Sequence, residues 1–412
     1  MPEKHGSSDP ATGRNHGLAS GGPSLFAVVS RDSQGKHEIE QNMVQRKIKI
    51  CFVCPKAYPL FDPQVKKVFG GAELDLYLLA CELAKDADYE VSFITADYGQ
   101  SPVEVIKGVT IYNGLDFKKN ALMGARQLWQ AMKRADADIY FQETISLGTF
   151  LVACYCHRHR GCEFIYRTAH QQECDGSYIK KHLLIGSGFR WALKHAAQVI
   201  VQNDQDQTQL QSSLGLNSQV IRNAHILPET YTNQKEFVLW AGRSAAFKRP
   251  QMFFELARCM PEERFVMLCP RATADHDYET LKKEADAIQN LEFIEGVPYE
   301  EVGGYFQRAK CYVNTSTSEG FANTFVDACK AGTAIFSLSV NPDNFIDTSD
   351  CGYYADGDWE GFVERLFEFT RNNAEVGRLG ANARKYAEEK HDIMRVVELY
   401  KDIFGQVMQV RT

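Results

Sequence analysis

Two successive series of short, β-rich apolar runs, alternating with helical stretches, constrain this chain more than any other feature. The first series is IKICFVC (48–54), EVSFIT (90–95), DIYFQE (138–143), EFIYRT (163–168) and QVIVQN (198–203). The second is FVLWAG (237–242), RFVMLC (264–269), LEFIEG (291–296), KCYVNT (310–315) and AIFSLS (334–339). Near-continuous apolar runs fit strands buried on both faces, and the helical stretches between them, such as AELDLYLLACELAKD (72–86), give the repeated unit of a parallel sheet. The expected class is therefore α/β, with two doubly wound, Rossmann-like domains facing across a cleft. At 412 residues and 44% hydrophobic content, the chain can bury two cores. The boundary is expected in the polar stretch NAHILPETYTNQKE (223–236), which divides an N-terminal domain (43–228) from a C-terminal one (229–390). From about Ala374 the pattern is helical, and a final helix (391–412) is long enough to cross back to the first domain. Residues 1–42 carry Gly, Ser, His and scattered charge without periodic apolar positions, and read as a leader that adds nothing to fold or chemistry.

A net charge of −7 argues against nucleic acid as the main partner, because a polyanion needs a basic face. The 12 Cys residues follow no disulfide framework, and several lie in apolar runs, so they read as reduced thiols of a cytoplasmic protein. No apolar run approaches the ~20 residues of a membrane span. KKNALMGARQLWQAMKR (118–134) is basic and partly apolar, compatible with peripheral contact with anionic lipid at the inner face of a membrane; a solvated helix is the preferred reading. The cluster Cys154, Cys156, His157, His159 and Cys162 has zinc-ligand chemistry but no C-x2-C spacing, and is expected to be a helix end. Three Asp-x-Asp pairs, Asp86/Asp88, Asp136/Asp138 and Asp275/Asp277, precede strands or open a helix, where no metal-dependent donor site is expected.

Ligands of facing α/β sheets bind at the carboxyl ends of strands, and the polar motifs fall there. Gly70 and Gly71 lie between the first strand and the first helix, where backbone N–H groups can approach an anion; a turn is the plainer alternative. No G-x-G-x-x-G follows the first strand. In GRSAAFKRP, Arg243 and Lys248 precede a helix that Pro250 can open, which describes a phosphate site as well as it describes solvated charge. In TSEGFAN the expected N-cap is Asn323; Asp327 falls in the first turns of that helix, where it could complement the dipole. Glu319 stands on the loop with no structural reason to be acidic.

GRSAAFKRP, SEGFANTFVDACKAG and SVNPDNF together resemble the retaining glycosyltransferases of the GT-B fold, specifically family 4 of the glycosyltransferase classification. The likeness runs from about Lys47 to the C-terminus and is strongest over 237–345. The family signature is Glu, seven residues, Glu; here Asp327 holds the second place. The resemblance implies transfer of a sugar from a nucleotide diphosphate sugar to a saccharide or lipid-linked saccharide acceptor, without metal or other cofactor. It implies Glu319 beside the donor sugar, Asp327 on the ribose, and Arg243 and Lys248 on the diphosphate. Gly320, Phe321, Ala322 and Asn323 would line the donor site, Gly70 and Gly71 would form the acceptor-domain glycine loop, and His170 would face the reacting sugar. An epimerase or phosphorylase on the same architecture, or a non-catalytic sugar-nucleotide binder, are the alternatives.

Overall fold

The computed structural model describes residues 46–410 apart from Val68, Arg160, Asn233, Thr273, Ala274 and His276, and the expectation for the leader 1–42 lies outside them. Among the described residues the strands of the unit that starts at Lys47 form two sheets. The first contains β1 (Ile48–Val53), β2 (Tyr89–Ala96), β3 (Val103–Ile106), β4 (Val109–Leu115), β5 (Ile139–Glu143), β6 (Glu163–Arg167), β7 (Gln198–Val201) and β8 (Gln219–Val220), in the spatial order β3-β4-β2-β1-β5-β6-β7-β8. The second contains β9 (Phe237–Ala241), β10 (Phe265–Leu268), β11 (Leu291–Ile294), β12 (Ala309–Asn314), β13 (Ala334–Ser337) and β14 (Gly352–Tyr354), ordered β11-β10-β9-β12-β13-β14. Every pairing is parallel except β3 with β4. All ten sequence-expected strands are present, and each sheet is buried under helices on both faces.

The strands not anticipated lie at sheet edges or next to them. β3 and β4 form a hairpin whose turn, Lys107-Gly108, has φ of 53° and 79°; β8 and β14 add two and three residues. β3, β8 and β14 carry too few side chains to leave a periodic mark in the sequence, and β4, at seven residues, mixes buried Val109 and Ile111 with half-buried Thr110, Tyr112 and Asn113 in place of a continuous apolar run.

Helix Gly71–Leu83 is apolar around most of its circumference because it is buried twice, by the first sheet and by the last helix, Ile393–Val410. Val396, Tyr400, Ile403 and Phe404 of that last helix belong to the first sheet's core. The helical C-terminus is therefore two helices, Asn373–Lys390 and Ile393–Val410, broken where the chain passes back to the first sheet. At the break His225 N–H donates to His391 O (2.8 Å) and Ile393 N–H to His225 O (3.0 Å), so the outgoing and returning crossings run side by side.

In each sheet the strand order reverses beside the first strand, between β1 and β5 and between β9 and β12. Those switch points open a crevice at the carboxyl ends of the strands. Gly70 and Gly71 follow β1, Arg243 and Lys248 follow β9, and Glu319 follows β12.

Candidate active site

The second sheet contributes two loops that are tied to each other by buried polar bonds. Trp240 Nε1–H donates to Thr315 Oγ1 (3.0 Å), and that hydroxyl donates to Lys248 O (2.6 Å). Thr317 N–H donates to Phe247 O (2.8 Å), and Arg249 Nε–H to Thr315 O (2.5 Å). Arg249 adopts φ of 47° just before Pro250 opens helix Pro250–Cys259, as the sequence leads one to expect of that proline. The consequence is an ion pair between Lys248 Nζ and Glu319 Oε1 at 2.5 Å, with Ser316 Oγ–H donating to the same oxygen at 2.7 Å. Two of Lys248's three donors remain for another anion. Thr315, Ser316 and Arg249 escape a motif search, since their effect depends on loops more than sixty residues apart.

The first sheet brings His170 and the glycine pair to the same place. Loop residue Gly320 lies so close to the first domain that a Cβ there would stand 2.9 Å from Ala169 O, which leaves only glycine room. His170 caps the short helix Gln171–Cys174, close enough to Glu319, Arg243 and Glu73 for their charges to act on its ring. His170 is exposed, yet surrounding protein excludes enough water to hold its pKa below the usual 6.5; desolvation and Arg243 push it down, and Glu319 and, less strongly, Glu73 pull it up. The imidazole is therefore neutral at pH 7. Replacing Glu319 by Gln should lower the His170 pKa further, because the larger of its two raising influences is lost; a histidine-labelled NMR titration reads this, and an upward shift would contradict the placement. Glu173, fully buried, anchors the His170 loop by accepting from Tyr166 Oη–H (2.8 Å) and from the N–H groups of Ala169 and Ile145 (both 3.3 Å).

Gly70 is the N-cap of helix Gly71–Leu83, and Glu73 folds back so that its carboxylate accepts from Gly70 N–H at 2.8 Å. One of the anion-seeking donors of that helix end is thus already served by an acid.

Asn323 does not cap its helix. The cap of Asn323–Lys330 is Ala322, and the Asn323 side chain reaches across the cleft: Nδ2–H donates to Asp75 Oδ1 (2.9 Å) and Gly71 O (3.3 Å), while Oδ1 accepts from Asn223 Nδ2–H (2.6 Å). Asp75 and Glu143 both accept from the buried guanidinium of Arg167, at 3.2 and 2.6 Å, and Arg167 also donates to Asn223 Oδ1 (2.7 Å). Burial drives the Glu143 pKa well above the carboxylate range, and Arg167 opposes that shift. Phe321 is likewise not in the site by its side chain: the ring packs 4.9 Å from Phe345 and 5.0 Å from His391, inside the second core. Its backbone O accepts from Asn223 Nδ2–H at 3.0 Å. Asp327 lies beyond the first turn of its helix, so dipole complementation does not account for it. It pairs with Lys330 Nζ at 2.7 Å and stands 3.7 Å from His225 Nδ1. Lys330 was not singled out in the sequence.

The helix Thr149–Arg158 ends in the Cys/His cluster as expected, and among the described residues no three His, Cys, Asp or Glu side chains stand together as a metal-ligand set. Asp88 and Asp138 precede β2 and β5, and Asp277 caps helix Tyr278–Asp286.

Residues 227–386 match the family described as glycosyl transferases group 1. Among solved structures, sucrose-phosphate synthase from Thermosynechococcus elongatus superposes with a TM-score of 0.71 at 13% identity, over 88% of this chain and 100% of that one. WaaG, described as a glycosyltransferase involved in lipopolysaccharide biosynthesis, gives 0.64 at 15% identity, over 86% and 99%. A mutant of S. aureus TarM, in complex with fondaparinux, α-GlcNAc-glycerol and UDP, gives 0.56 at 16% identity, over 68% of this chain and 59% of that one. No curated protein matches the chain. Two facing parallel-sheet domains and a helical C-terminus make the fold GT-B.

Proposed function

We propose that this chain is a sugar-transferring glycosyltransferase and that it works as family 4 enzymes do, moving a sugar with retention from a nucleotide diphosphate sugar to a hydroxyl of a saccharide or lipid-linked saccharide acceptor. The observation that carries this reading is the Lys248–Glu319 pair at the carboxyl end of the second sheet, near enough to His170 of the first domain for the charges of Glu319 and Arg243 to shift its protonation. Transfer breaks the bond from the sugar's anomeric carbon to the diphosphate oxygen, so negative charge grows on the diphosphate. Arg243 and the free donors of Lys248 supply fixed positive charge there. Glu319 orients Lys248 and faces the donor sugar, and neutral His170 holds a sugar hydroxyl. Asp327 accepts from the ribose, and Gly70 and Gly71 face the acceptor side. We place the reaction in the assembly of a bacterial-type polysaccharide or glycoconjugate, on the cytoplasmic side; the unpaired cysteines, mostly buried, suit a reducing compartment. No helix among the described residues is long and apolar enough to cross a membrane.

The test is a thermal-shift panel of UDP, GDP, ADP and dTDP with their sugars, followed by assay of nucleoside diphosphate release. One nucleotide class should raise the melting temperature by mass action, and release should require an acceptor. UDP compounds come first, given the ligand of the S. aureus structure. Acceptor-independent conversion would favour an epimerase, and binding without turnover would favour a sugar-nucleotide binder. Because side chains supply the charge neutralisation, turnover should survive exhaustive chelation. Loss in EDTA, restored by Mn²⁺, would reassign that task to a metal.

A further inference from the structure

Three helices cover one face of the first sheet: Ala121–Ala135, Thr149–Arg158 and Leu183–Lys194. Their inner sides share one core, through Leu128, Met132, Val152, Cys156, Phe189 and Leu193. Their outer sides are unlike the rest of a chain whose net charge is −7. Residues 118–134, 144–159 and 176–195 hold ten Lys and Arg and no Asp or Glu. All ten of these side chains are exposed.

Large apolar side chains stand among those cations, at the helix N-termini. Leu183 and Leu184 are 76% and 90% exposed, Leu122 is 84% and Leu147 is 74% exposed, and Phe150 is open as well. Each of these segments follows a strand's carboxyl end, so the apolar rim lies on the same edge of the sheet as the cleft. Behind the rim the layer is grooved, with a cavity of about 570 Å³ lined by Trp129, Cys154, His157, Arg158 and Trp191. Indole rings framed by cations and aliphatic side chains suit an interface that is wet on one side and apolar on the other. A nucleic acid or acidic saccharide would use the cations and gain nothing from leucines held out in water. An acid-free basic surface with protruding leucines satisfies both requirements of a bilayer: attraction to anionic headgroups and apolar insertion.

We propose that this three-helix face docks on an anionic lipid surface, with Leu122, Leu147, Phe150, Leu183 and Leu184 entering the headgroup layer and the exposed Lys and Arg meeting lipid charge. The inference does not rest on the donor chemistry proposed above, and its test uses neither donor nor acceptor. The full chain is sedimented with phosphatidylcholine vesicles and with vesicles in which part of that lipid is replaced by phosphatidylglycerol, at low and at high salt. The protein should pellet with the anionic vesicles, and far less with the neutral ones or at high salt. Leu183→Glu/Leu184→Glu, and separately Leu122→Glu on a different helix, should each weaken that binding by about tenfold or more. These side chains are exposed, so melting temperatures should stay at the wild-type value. Absence of pelleting with anionic vesicles, or equal pelleting by wild type and both leucine variants, overturns the proposal. So does retention on heparin without vesicle binding, which would assign the face to a soluble polyanion.

Discussion

Glu319→Gln is expected to lower turnover by about a hundredfold or more while nucleoside diphosphate affinity stays within a fewfold of wild type. The substitution keeps size and reach but removes the charge that fixes Lys248 Nζ at 2.5 Å and accepts from Ser316. Lys248 would then be free to rotate, and it would meet the diphosphate without being held for the moment when charge develops. Ground-state binding, shared with Arg243, should hardly change. Asp327→Asn should do the opposite, weakening nucleotide binding by roughly ten- to a hundredfold, the effect of ~1.5–3 kcal/mol from a charged hydrogen-bond partner. Asp327→Glu should be tolerated. Because Asp327 also neutralises Lys330 at 2.7 Å, melting temperatures must be measured beside affinities. A lowered melting point with unchanged affinity would leave Asp327 as Lys330's partner only, and equal losses of binding in both variants would sink the division of roles.

The largest stability effect should come from Arg167→Met. Arg167 is 1% exposed, and it is the cation between Asp75 and Glu143. Removing it leaves two acids without their charge partner in a site they cannot leave, at a cost of about 3–5 kcal/mol and a fall in melting temperature on the order of 10 °C. Glu143 already has a raised pKa through burial, and losing Arg167 removes its main lowering influence. In the variant the folded state therefore holds a proton that the unfolded chain releases above about 4.5. Such a group contributes stability below that pH and loses it as pH rises through the folded pKa. The variant should thus be relatively more stable at pH 5 than at pH 8, by comparison with wild type, in thermal melts. Glu143→Gln added to Arg167→Met should recover part of the loss and flatten the slope. A variant as stable as wild type at both pH values would remove the network from any structural account.

The two-sheet architecture was legible because a strand buried on both faces must be apolar throughout, and nine of the ten expected strands are of that kind; β11, at a sheet edge, still announces itself by Leu291, Phe293 and Ile294. The edge hairpin β3–β4 and the short β8 and β14 were not legible, since an edge strand needs no continuous apolar run. The motif residues Lys248 and Glu319 proved to be partners, but the sequence could not show what aligns them. That depends on Trp240, Thr315 and Arg249, residues with no distinctive spacing. Asn323 was misjudged for a definite reason: local preference favours Asn at a helix N-cap, and here the tertiary partners Asp75, Gly71 and Asn223 prevail over it. Phe321 was assigned to the site by its motif, and its ring went instead to the core.

Two peptide crossings that hydrogen-bond to each other behave as one hinge. With His225 and His391 paired, the sheets cannot shear freely past one another; swinging about that line is the motion that leaves the pairing intact. Two latches cross from one side to the other ahead of the hinge. Asn323 reaches Asp75 and Gly71, and Asp343 accepts from the N–H groups of Asp204 and Gln205 at the start of helix Asp204–Leu214 while pairing with Arg222 at 2.8 Å. Glu319 sits four residues before the first latch, so unfastening it moves the very loop that carries the carboxylate. A swing about the hinge would draw His170 and the glycine pair away while Lys248 and Glu319 stayed together, because the second sheet's own loops hold that ion pair.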